Sequence, residues 1–77
     1  MEPIVLKHPS NTEYSVTLTP IPTPWNGFWN MRVTRRDHDI IVHRGTETCP
    51  SEEAAQRWMD RTLRMYQDIG YVLISEV

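Results

Sequence analysis

SEEAAQRWMDRTLRMYQDIG, residues 51–70, is the stretch on which the fold turns. Ser51 can cap a helix by accepting a backbone N–H, and Glu52 and Glu53 put negative charge where the helix dipole favours it. Gly70 suits the left-handed stop at the other end. At about 100° per residue, Ala54, Ala55, Trp58, Met59, Thr62, Met65, Tyr66 and Ile69 gather on one side. Glu53, Arg57, Asp60, Arg61, Arg64 and Asp68 gather on the other, with opposite charges four apart at Glu53–Arg57, Asp60–Arg64 and Arg64–Asp68. An amphipathic helix of this kind must lay its apolar stripe on another layer.

The flanking segments supply that layer. Upstream, Phe28 to Arg36 alternates: Trp29, Met31 and Val33 point one way, and Phe28, Asn30, Arg32 and Thr34 the other. Arg36-Asp37-His38-Asp39 is short and polar enough for a hairpin turn. Ile40 to Arg44 reads as the next strand, with Gly45 expected to end it. Further back, Tyr14, Val16 and Leu18 alternate with Ser15, Thr17 and Thr19, and Ile4-Val5-Leu6 can pair with that run as a hairpin. Pro3 and Pro9 beside the first run point to an edge strand.

Downstream, Tyr71-Val72-Leu73-Ile74 is continuously apolar, which predicts a strand covered on both sides or sealed at a dimer contact. Arriving straight from a helix, it could lie parallel to an earlier strand through a right-handed crossover. The expected fold class is α+β: a two-layer domain with an antiparallel β-meander, one helix on one face and the order β-β-β-β-α-β over residues 1–77, as one domain.

Composition narrows the function classes. Eight basic and ten acidic residues give a net charge of −2, which argues against binding nucleic acid by bulk charge. Cys49 is the single cysteine, so no disulfide can form within one chain, and a reducing cytoplasm is the expected location. MEPIVLKHP is too short an apolar run for a signal peptide, and nothing approaches the ~20 apolar residues of a membrane span.

No constellation points to catalysis, a metal or a cofactor. His38 and His43 are five apart, an odd spacing that sends strand side chains to opposite faces. Cys49 precedes a helix start, where the dipole would lower its pKa, yet Thr48 and Pro50 offer no base. It reads as a small buried hydrophobe at a junction, or else as a redox or conjugation thiol. Phosphate-cradling glycine loops and nucleophile motifs are absent from the sequence. The expectation is a chain that is not an enzyme.

TPIPTPWNGFWN, residues 19–30, carries the strongest partner signal. Prolines at alternate positions hold an extended path, and Asn26-Gly27 is a turn signal that puts Trp25 at a loop tip. With Trp29 inward, Phe28 faces the sheet side away from the helix, near Arg32 and Arg44. Aromatics and arginines are enriched in interface hot spots. Trp25, Phe28, Arg32 and Arg44 are therefore the expected partner-binding residues, and a protein is the expected partner. For a chain of this size an accessory or inhibitory factor, phage or mobile-element encoded, is the expected type. Self-association is expected through Tyr71–Val77, because an apolar edge strand invites pairing.

A rival reading comes from a resemblance. From Gly27 the order Gly-Phe-Trp-Asn-Met-Arg-Val, a hairpin, then Ser51-Glu52-Glu53-Ala54-Ala55 and Trp58 is similar to small three-strand-plus-helix DNA readers. The plant ethylene-response DNA-binding domain and the arm-binding domain of tyrosine recombinases have that order. The resemblance implies a sheet face turned to the major groove, with Phe28, Arg32, Thr34 and Arg44 as contacts and Arg35 and Arg36 at the hairpin tip. It covers about half the chain; Asp37, Asp39 and Glu47 offset the arginines, and a strand follows the helix.

Overall fold

The computed structural model describes residues 1–24 and 26–76. Its elements are β1 (Ile4–His8), β2 (Asn11–Pro22), β3 (Trp29–Asp37), β4 (Ile40–Cys49), α1 (Glu52–Asp68) and β5 (Val72–Glu76). They form an α+β fold in which one antiparallel five-stranded sheet, in the order β4-β3-β2-β1-β5, carries the helix on one face. The element order is the expected one. No helix among the described residues is long and apolar enough to cross a membrane.

The core lies between helix and sheet. Leu6, Val16, Leu18, Met31 and Cys49 come from the strands, and Ala55, Trp58 and Met59 from the helix, all buried. Trp29, Val33, Leu63, Tyr66 and Tyr71 pack around them. Ser51 caps α1 as expected, its hydroxyl accepting from Ala54 N–H at 3.1 Å. Gly70, at φ 111°, makes the left-handed exit, and Tyr71 then stacks edge-on with both His8 and Tyr66.

The helix stripe differs from the expected one at its second half. Met65 and Ile69 are 52% and 63% exposed, and Leu63 packs inward instead. Once Trp58, Met59 and Thr62 meet the sheet, the next inward positions at 3.6 residues per turn are 63 and 66. None of the expected helical ion pairs is closed; Asp60 accepts from Gln56 Nε2 at 3.0 Å.

Four strand expectations are corrected. β1 is an interior strand between β2 and β5, because Pro3 and Pro9 fall just outside Ile4–His8 and leave its ladder intact on both sides. β5 runs antiparallel to β1, with Leu73 opposite Leu6, and takes the sheet edge rather than a parallel interior place. Its apolar run is covered on one side only: Leu73 is half-buried while Val72 and Ile74 are exposed. β4 passes through Gly45 to Cys49, since Gly45 lies opposite Val33, where a Cβ would stand 3.3 Å from Val33 Cγ1.

The prolines of the 19–30 stretch prolong a strand. Pro20 pairs with Met31 and Pro22 with Trp29, so β2 is twelve residues long. Its ladder to β3 is unbroken, while its pairing with β1 ends at Leu18–Ile4. Donors missing at alternate positions all face one edge, and here that is the edge β1 has vacated.

Candidate functional site

The face of the sheet opposite the helix is built by alternation. In β2 the residues between Val16, Leu18 and Pro20 point away from the core, giving Ser15, Thr17 and Thr19. In β3 the same rule gives Arg32, Thr34 and Arg36, and in β4 Arg44, which pairs with Thr34. These residues line one shallow basin of about 350 Å³: a floor of hydroxyls ringed by Arg32, Arg36 and Arg44.

A second basin of about 400 Å³ adjoins it, sharing Ser15 and Arg36 and adding Lys7, Glu13, His38 and Asp39. Register fixes the spacing. Arg32 and Arg36 are four residues apart on one strand, about 13 Å, and Arg44 sits on the next strand, about 4.8 Å away, at the level between them.

Cations outnumber acids on this face. Lys7, Arg32, Arg36 and Arg44 are met there by Glu13 and by Asp39 at the hairpin tip. Glu13 is itself engaged by His38, whose Nδ1 contacts its carboxylate and whose backbone N–H donates to the Glu13 carbonyl at 2.9 Å. That second bond holds His38 at φ 59° and makes the glycine-free turn possible. A chain of net charge −2 thus concentrates cations on one surface.

Of the expected contacts, Arg32, Thr34 and Arg44 come together in the basin. Phe28 is 38% exposed and sits just before β3, outside the basin lining. It is held by its own loop: Thr23 N–H donates to the Phe28 carbonyl at 2.9 Å, and Phe28 N–H donates to Asn26 Oδ1 at 3.0 Å. Gly27, at φ 72°, makes the turn there. Trp25 lies outside the described residues. Arg35 and Arg36 separate: Arg35 pairs with His43 on the helix side, and Arg36 joins the basin. Arg36 was legible as the next step of the Arg32, Thr34 alternation, which the hairpin reading cut short.

Cys49 is buried under the helix, and its pKa is raised. Burial is the main cause, with Glu47 adding to it and Arg61 opposing it. The thiol belongs to the core. Among the described residues no cluster of three or more His, Cys, Asp or Glu could hold a metal ion. No known protein family, curated protein or solved structure matches the chain, so the similarity to three-strand DNA readers rests on the residues quoted for it.

Proposed function

We propose that this chain is a non-enzymatic interaction module whose helix-free sheet face grips an anionic macromolecule, with nucleic acid the partner class it fits best. The observation that supports this is the basin of Arg32, Arg36 and Arg44 over Ser15, Thr17, Thr19 and Thr34. Guanidinium and hydroxyl groups are the side chains that contact phosphate oxygens. Among the described residues the basin lining includes no aromatic side chain, whereas single-strand binders stack bases on aromatics. The expected ligand is therefore a duplex.

The test is fluorescence anisotropy with a labelled duplex and the matching single strand over a salt series. Duplex binding should be the tighter, and Arg32→Ala, Arg36→Ala or Arg44→Ala should each flatten the salt slope by about 1. Slopes that none of the three variants changes would remove nucleic acid from this face.

A protein partner is the second reading, favoured by exposed Phe28 at the end of the face and by the exposed Ile40–Val42 run. It predicts a nuclease-resistant complex from the native host that Phe28→Ala abolishes without unfolding the domain. An accessory or inhibitory role fits either partner. Self-association at the β5 edge, the expected Tyr71–Val77 contact with Val77 outside the described residues, would add a second copy of the face at the far edge of the sheet.

A further inference from the structure

β4 is the longest open edge of the sheet: ten residues with a neighbour only on the β3 side. Two of the usual devices against edge pairing are missing from its length, although it carries Arg44 and Glu47 and a bulge at Val42. It holds no proline and no lysine. The register shift between Arg35 and Arg36 confines irregularity to its first residues and leaves the His43–Cys49 part regular. Exposed apolar side chains lie along its start, Ile40 being 68% exposed. β5, the other edge, has five residues and an interrupted register with β1, and the prolines already close the exposed end of β2.

We infer that β4 pairs with β4 of a second copy of this chain, antiparallel, about a two-fold axis through Gly45. The occupant is set by complementarity of hydrogen-bonding side chains along the strand. With Gly45 opposite Gly45, His43 of each copy faces Glu47 of the other on the helix side, and Arg44 faces Thr46 on the other side. His43, Arg44, Thr46 and Glu47 are all exposed in the single chain. Moving the axis to Arg44 sets two arginines against each other; moving it to Glu47 does the same with two glutamates. With the axis at Thr46, Glu47 meets Gly45 and both His43–Glu47 contacts are lost. The Gly45 register alone, among these, sets an imidazole donor opposite a carboxylate twice and puts no two like charges directly opposite each other. Keeping odd residues opposite odd residues also continues the sheet without reversal. Both helices then lie on one side, and both arginine basins lie side by side on the other.

This inference does not depend on what the basins bind. Its test is sedimentation equilibrium of the full chain over a concentration series. A reversible dimer is expected; Glu47→Lys should weaken it about tenfold, and adding His43→Glu to that variant should restore it to within about threefold. Both positions are exposed, so at concentrations low enough for the parent to be monomeric, thermal unfolding of the variants should match that of the parent chain. A monomer at every concentration would overturn the inference, as would a dimer that Glu47→Lys spares and Val72→Lys disrupts.

Discussion

At position 49 burial governs the state of the one thiol. The start of α1 offers its dipole, but Cys49 is buried in the core and its pKa rises. The thiol is held protonated and out of reach of solvent. Labelling by a maleimide or a disulfide reagent at neutral pH should therefore be slow in the native state and fast in urea; equal rates would show an open thiol. The cap at Ser51 and the stop at Gly70 were legible because both act within a few residues of chain. Gly45 was not. A glycine ordinarily interrupts a strand, and only its pairing with Val33, across the β3–β4 turn, accounts for its place mid-strand.

At the scale of the element, the helix shows which parts of an apolar stripe the fold uses. Met59 is buried against the sheet, whereas Met65, nearly two turns on, has rotated off the contact line. Truncating Met59 to Ala should cost about 2–5 kcal/mol, while Met65→Gln should stay within about 0.5 kcal/mol of the parent. Urea unfolding measures both, and equal losses would mean a second contact surface on the outer half of the helix. Composition alone could not separate the two methionines, because the line of contact depends on how the helix crosses the sheet. The edge assignment of β1 failed for a related reason. Prolines at the two ends of a strand report on its ends, whereas its neighbours are chosen by pairings that join residues far apart, such as Leu6 with Leu73. The alternation that created the basin is local, and so Arg32, Thr34 and Arg44 could be placed together from the sequence.

For the whole molecule, one buried acid, Cys49, and one half-buried acid, Tyr71, share one direction of shift. Burial is the leading cause that raises Cys49 above its ordinary 9.0 and Tyr71 above its ordinary 10.0; Arg35 opposes the rise at Tyr71, and Asp37 adds to it. A raised pKa means that the folded chain keeps its proton while the unfolded chain has already released it. The stabilisation is complete below pH 9 and declines as pH rises through 9 and then 10. Thermal unfolding should accordingly shift to lower temperature above pH 9, and Cys49→Ala should blunt the first part of that decline. A melting temperature that stayed level to pH 11, at about the top of the tyrosine range, would contradict both assignments.

The two outermost strands of the chain, β1 and β5, are partners, and Ile4 at the start of one lies beside Glu76 at the finish of the other. Tension applied between the two ends would meet that ladder like a zip fastener, loading one bond at a time. The molecule should peel there at low force, shedding its last strand while the helix still clamps the four that remain.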